Sequence, residues 1–417
     1  MTVDLVFYFQ VHQPYRLRQG TFRTSSGAPH WFDDRENRRI MERVAERCYL
    51  PMNQLLLEAI EQTDGGFCCS FSISGTALDQ MRAWAPEVIE SFVLLAETGR
   101  VEFLSETSMH SMTFDVDPQE FEDQVRAHRK VIADLFGREP TTFRNTECVI
   151  DESVARRIEE IGFEVLVGEG ADQLLGSDSP MFVYRPQGCS KLKLLLRCYP
   201  FSDDIGFRFS NREWEEYPLY ADKFAGWIHR LPQDSQFVGL YMDYETFGEH
   251  QWTDTGIFEF MRHLPGFVLA DERFGFATPA EIASRYQPVA DLAIPRPVSW
   301  ADAERDLTAW RGNPMQRWAT EAAAKLGPLA RRAAAAGRPD LYLAWQRMTT
   351  SDHTYYMSTK FASDGDVHEY FSPYPGPREA FLNYMNALDD LRDTLEASLA
   401  LPSNSEPKTR DEAEFDS

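Results

Sequence analysis

Lysine is almost missing: the 417 residues contain seven, so Arg supplies most of the 42 basic side chains. Against 66 Asp and Glu the formal net charge is −24 at pH 7. A field of that sign repels phosphate backbones and anionic lipid, so neither nucleic acid nor a membrane surface is an expected partner. No stretch reaches the roughly 18 consecutive apolar residues of a membrane span. Met1 to Gln10 has no basic region and no small-residue cleavage site; it reads as a strand, and the chain is expected in the cytoplasm. The six cysteines form no C-x-x-C pair, and Cys68 and Cys69 sit in an apolar run where buried free thiols are expected. The His-x-x-His, His-x-x-x-His and His-Glu-x-x-His spacings are missing too, so no metal site is expected.

What is present is a large core: 43% hydrophobic and 13% aromatic residues exclude a disordered chain. Short apolar runs alternate with amphipathic stretches. Leu5–Gln10, Phe67–Ile73, Val101–Ser105, Thr142–Asn145, Glu164–Val167, Leu192–Arg197 and Phe237–Met242 read as strands, mostly continuous apolar runs, as in a parallel sheet covered on both faces. Helical patterns cover Arg38–Ile60, Ala77–Glu97, Pro118–Leu135, Ser153–Ile161, Tyr217–Arg230 and Thr255–His263. Asp117 before Pro118 is a cap followed by proline in the first turn. About seven strand–helix units suit a barrel better than an open sheet. After the proline-rich linker 287–297 the strand signal stops, and Ser299–Gly312, Asn313–Gly337, Arg338–Lys360 and Pro377–Leu399 read as helices. The expected organisation is α/β: a barrel over 1–290, a helical domain over 291–400, and an acidic flexible tail over 401–417.

Polar residues gather where strands end: His12 and Gln13 after the first, Glu106 and His110 after the third, Arg144 and Glu147 at the fourth, and Asp243, Glu245 and His250 after Phe237–Met242. Active sites of α/β barrels sit at that end of the strands. Two carboxylates there, Glu147 and Asp243, could flank one glycosidic bond, one protonating the leaving oxygen while the other attacks the sugar or activates water. Taken singly, each could equally be a helix cap or a salt-bridge partner. The later helices add Trp300, Asp302, Trp310, Asp352, His353, Tyr355 and Tyr356; the Trp and Tyr rings could stack on sugars, though helix-spaced aromatics more often fill a core.

Five separated segments then converge: FYFQVHQPY (Phe7–Tyr15), SGTALDQM (Ser74–Met81), FRNTE (Phe143–Glu147), MDYETFGEH (Met242–His250) and WADAERDLTAWRGNPMQ (Trp300–Gln316), with TSDHTYYMSTK (Thr350–Lys360) a sixth. In these the chain resembles glycoside hydrolase family 57, particularly its α-amylase-like members. The resemblance implies a distorted (β/α)7 barrel followed by a C-terminal helical domain that completes the site. It implies a retaining glycosidase acting on α-glucans or malto-oligosaccharides, with no cofactor and no metal. By position, Glu147 is then the nucleophile, Asp243 the acid/base and His12 a ligand of a sugar hydroxyl. Gln13, His110, Arg144, Glu245, His250, Trp300, Asp302 and His353 are further candidates for substrate contact, and Arg144 could keep Glu147 ionised. Many relatives have His where this chain has Gln10. A 4-α-glucanotransferase or branching enzyme on the same scaffold is the alternative. A metal-dependent polysaccharide deacetylase-like hydrolase and a non-catalytic glucan-binding protein are readings from other classes.

Overall fold

The computed structural model describes residues 2–20, 22, 30–360 and 372–400; the tail expected at 401–417 lies outside them. Its centre is a ring of parallel strands. In chain order the strands are β1 (Val3–Val11), β2 (Cys69–Ile73), β3 (Val101–Phe103), β4 (Thr142–Arg144), β5 (Val165–Glu169), β6 (Arg185–Pro186), β7 (Lys193–Arg197), β8 (Phe237–Asp243), β9 (Phe274–Phe276) and β10 (Asp291–Leu292). The sheet runs β3-β2-β1-β8-β7-β5-β4. A single parallel bridge between Ser105 and Phe143 joins its two edges. The result is a seven-stranded barrel, distorted where the three-residue strands β3 and β4 meet. β9 was not anticipated: it pairs with Val3–Leu5 of β1, while β2 takes Tyr8–Val11. β10, inside what reads as linker, pairs with β6 in a small separate sheet.

Strand side chains alternate between the barrel interior and the helical shell. Along β1 and β8, Phe7, Phe9, Leu240 and Met242 pack outward among the helices, while Val6, Tyr8, Phe237 and Tyr241 fill the inside. Continuing that alternation sends Gln10 and Asp243, which lie opposite each other in register, inward at the upper end. Glu169 of β5 and Arg197 of β7, another register pair, do the same. Below, the interior is mostly aliphatic and aromatic, with the acids Asp4 and Glu102 set among those side chains, and charge gathers in the upper layer. Gly239 lets β7 and β8 close up there, since a Cβ would stand 2.5 Å from the Leu196 carbonyl oxygen.

Helices fall near their expected places, with local corrections. Arg38–Ile60 is two helices, Asp34–Val44 and Leu50–Gln62, joined through one wide turn at Ala45–Tyr49. Ala77–Glu97 breaks at Ala85, because Pro86 restricts the residue before it. Tyr217–Arg230 is helical only over Ala221–Ile228. Pro118–Phe136 starts as read, the Asp117 carboxylate accepting from the Glu120 amide. The larger correction concerns Ser299–Gly312, which is helical only at Thr308–Arg311. Asp302 and Arg305 there have left-handed backbones (φ 56° and 49°), which end any regular helix.

The helices Pro314–Ala335, Pro339–Met348 and Pro377–Ala400 form a separate apolar cluster that also takes in Leu17 and Trp31 from the excursion after β1. The cluster is tied to the barrel's upper end: the Ser351 amide donates to the His110 carbonyl (2.9 Å), and Arg347 lies over the Tyr15 ring (3.8 Å). The six cysteines are buried and unbridged. No described helix is long and apolar enough to cross a membrane.

Candidate active site

Glu147 follows β4 in a short turn, Thr146–Cys148, with φ 57° and ψ 30°. That left-handed conformation costs a non-glycine residue about 1–2 kcal/mol, so surrounding bonds must hold it. They do so from both sides. The Asn145 side chain accepts from the Thr146 amide (3.0 Å). From the segment after the barrel, the Ser299 hydroxyl (3.0 Å) and the Trp300 amide (3.3 Å) both donate to the Glu147 carbonyl.

The Glu147 carboxylate is gripped as firmly. His110 Nε2 lies 3.0 Å from Oε1, and the Trp300 indole donates to Oε2 at 2.8 Å. The other His110 nitrogen meets Glu106 at 2.9 Å, and Glu106 accepts from Gln10 at 3.1 Å. Burial opposes charge on His110, but the two carboxylates dominate and push its pKa to about 9; it is an imidazolium donating from both nitrogens. Burial would likewise raise Glu147. The bond and charge of His110, then Arg144, then the Trp300 bond outweigh it and hold the carboxyl below its usual value. Arg144 is fully buried at the level of the Trp300 ring, 4.7 Å from its centre and 3.9 Å from Glu106. None of its three guanidinium nitrogens makes a hydrogen bond to nitrogen or oxygen among the described residues. Its contribution is therefore a positive field within a low-dielectric layer.

Asp243, ending β8, is in the opposite condition. Burial first, and the Glu147 charge second, raise its pKa to about 6 against the pull of Arg144, His110 and Arg197. Glu245, two residues on, is pushed further, to about 8, by burial and by Asp243; it accepts from the Tyr49 hydroxyl and from the His12 amide.

His12 stacks on His110 (ring centres 3.8 Å apart) and its pKa is lowered by burial and by the His110 charge. The neutral ring meets Ser74 through Nδ1 (2.8 Å) and Asp352 of the helical region through Nε2 (2.9 Å). Donation from Nε2–H to Asp352 satisfies both contacts.

The expected residues thus divide. Glu147, His110, Arg144, Trp300 and His12 form one connected group, and Asp243 and Glu245 adjoin it. Gln13 supports the loop after β1, its carbonyl accepting from Gln80 at 2.9 Å. The His250 amide donates to the Glu245 carbonyl (2.9 Å), and burial lowers the ring's pKa to about 4. Asp302 meets Lys360 at 3.0 Å. His353 turns into the helical cluster, against Tyr384 and the Arg347 carbonyl, away from the carboxylates; Asp352 beside it is the residue that reaches the site. Glu169, Arg197 and Arg305 were missed. Arg197 bonds Glu169 (3.2 Å) and Asp203 (2.5 Å), Arg305 joins both acids, and Arg197 also lies 5.8 Å from the Trp300 ring. A charged residue closing each of two otherwise apolar strands was the available signal. Among the described residues no three His, Cys, Asp or Glu side chains converge as a metal site requires.

The model of glycosyl hydrolase family 57 matches residues 6–295. The chain belongs to glycosyl hydrolase family 57. A "Putative alpha-amylase" of Methanocaldococcus jannaschii is 37% identical over 409 residues, 95% of this chain and 85% of that one. Among solved structures, a family 57 branching enzyme from Pyrococcus horikoshii shares the fold with a TM-score of 0.67 at 15% identity, over 96% of this chain and 91% of its own. A 4-alpha-glucanotransferase from Thermococcus litoralis does so at 0.65 and 14%, over 93% of this chain, which spans only 59% of that enzyme. As a family 57 member the chain is a carbohydrate-active enzyme, and its (β/α)7 barrel with a helical C-terminal region agrees with these neighbours.

Proposed function

We propose that this family 57 enzyme cleaves α-glucans with retention of configuration, Glu147 acting as nucleophile and Asp243 as acid/base. One observation carries the reading: two carboxylates at the upper end of one barrel lie in unlike surroundings, Glu147 bonded directly by His110 and Trp300, which hold its pKa down, and Asp243 pushed up to about 6 by burial and by the Glu147 charge. Glu147, surrounded by donors and cations, is ionised and attacks the anomeric carbon. Asp243, its pKa near 6, is protonated in mildly acidic solution and gives its proton to the glycosidic oxygen as the bond breaks. A glycosyl ester on Glu147 results, and the Asp243 carboxylate then takes a proton from the water that hydrolyses it.

The supporting groups fit these steps. With His110 on one oxygen and Trp300 on the other, the Glu147 carboxylate has a fixed plane, as near-attack geometry requires. One fifth of its side chain is exposed, whereas Glu106 and Arg144 are sealed, so Glu147 alone of these three can meet a sugar. His12 and Asp352, 12% and 21% exposed, rim the mouth and would take sugar hydroxyls.

Incubation with maltoheptaose and chromatography of the products tests the reading. Shorter malto-oligosaccharides, released first as the α-anomer, are expected. Chains longer than seven would make a sugar hydroxyl the acceptor in place of water, and a β-anomer first product would refute retention. No turnover of maltoheptaose or amylopectin would refute the α-glucan reading.

A further inference from the structure

Five of the six strongly exposed aromatic side chains among the described residues fall in two segments, 207–220 and 252–267: Phe207, Tyr217, Tyr220, Trp252 and Phe267. Three of them, Tyr217, Tyr220 and Phe267, line one open depression of about 500 Å³ together with Asp222, Glu259 and His263. Glu259, His263 and Phe267 follow helical spacing along one face of the helix Ile257–Leu269, so the depression is a groove that follows it for about 12 Å at 1.5 Å per residue. That helix leaves the upper end of β8 and runs down to β9, beside the lower end of β1. The groove thus lies along the helix that connects β8, the strand ending in Asp243, with β9.

Its chemistry is specific. The rings of Tyr217, Tyr220 and Phe267 share the lining with two carboxylates and an imidazole, which suits a ligand with apolar C–H faces and hydroxyl edges. Asp222 and Glu259, on a chain of net charge −24, disfavour phosphate or an acidic peptide. A second copy of the chain would carry the same charge, and the thirteen lining residues fall short of the roughly 20–30 a side of a stable dimer.

We propose that this groove is a second, non-catalytic binding site for an α-glucan chain, holding one segment of a polymer while another occupies the barrel mouth. The proposal rests on the α-glucan reading of the active site. Its consequence is selective: long substrates gain affinity from the groove, and oligosaccharides confined to the mouth do not.

The test uses the full chain and a Tyr220→Ala/Phe267→Ala variant, with Tyr220→Ser alone as the milder form if the double variant does not fold. Retardation in native gels containing amylopectin is measured beside turnover of amylopectin and of maltoheptaose. The expected result is a loss of amylopectin affinity of about fivefold or more, with kcat/KM on maltoheptaose within about twofold of the parent. Unchanged retardation by a folded variant overturns the groove while the active-site reading stands. A parent dimer that becomes a monomer in the variant also overturns it, and makes this face a contact between copies. A parent protein that turns over neither glucan overturns both readings.

Discussion

Glu147 and Asp243 belong to the same residue class, close two strands of one barrel, and are both enclosed by protein, yet the structure drives them apart. Around Glu147 every immediate neighbour donates or is positive: His110, Trp300 and Arg144. Around Asp243 the Glu147 charge adds to burial, and together they outweigh Arg144, His110 and Arg197. Burial alone would raise both groups. What separates them is the direct bonds that His110 and Trp300 make to Glu147, added to cations that act on both acids, and those donors come from elements distant in sequence, including the post-barrel segment that carries Trp300. On the proposed reading, two ordinary carboxylates would become an acid and a nucleophile through their surroundings.

The comparison breaks most completely if either member is neutralised. Glu147→Gln and Asp243→Asn are each expected to lower kcat about 10³-fold or more with the fold kept, measured by turnover and circular dichroism. Activity within tenfold of the parent in either variant would remove that residue from its role. The next effect is on the asymmetry itself. His110→Gln takes the imidazolium away, so the Glu147 pKa rises and the acid limb of the pH–rate profile moves to higher pH. A drop in kcat of about 10²-fold should accompany the shift. In the parent enzyme the alkaline limb should fall near pH 6, where Asp243 loses its proton. A profile flat from pH 5 to 8 would contradict the assignment.

Stability gives a smaller and more discriminating contrast. The Glu147 pKa is depressed by folding, so its ionised form contributes stability above pH 4.5 that is lost as pH falls through the folded value. The Asp243 pKa is raised, so stability is lost as pH climbs from about 4 through about 6. At pH 8, Asp243→Asn should therefore stabilise the protein by about 1–3 kcal/mol while Glu147→Gln destabilises it, as read by denaturant unfolding. Shifts of the same sign in both would mean that the two environments do not differ as described. The smallest effect is expected at Glu245. With a pKa near 8 it is already protonated in acid solution, and its amide still accepts from Tyr49, so Glu245→Gln should change kcat at pH 5.5 by less than about threefold.

How much of this could be read beforehand follows from how local each signal is. The apolar runs marked seven barrel strands within a residue or two, because parallel strands covered on both faces carry an undiluted signal. β9 is only Phe-Gly-Phe, too short for any pattern, and exists because it can lie along the lower part of β1. Placing Glu147 and Asp243 at one end needed only that polar residues followed strands. The Glu169–Arg197 pair was hidden because single charges closing apolar runs look like turns. His353 was favoured over its neighbour Asp352 because histidine is the commoner site residue. A short helical turn, Asp352–Tyr355, decides otherwise, directing Asp352 to His12 and His353 to Tyr384. Ser299–Gly312 resembled a helix in composition, while the bonds that Ser299 and Trp300 make to Glu147 are long-range and leave no local trace.

Those bonds also set a schedule. The carbonyl of Glu147 is held by donors that lie 152 and 153 residues further along the chain. A ribosome that has delivered all seven barrel strands has thus delivered both acids, but neither the clasp on the strained turn nor the indole that fixes the carboxylate plane. The clasp and the indole arrive with the last third of translation rather than with the barrel strands, so the geometry around Glu147 is completed only after the barrel itself has been synthesised.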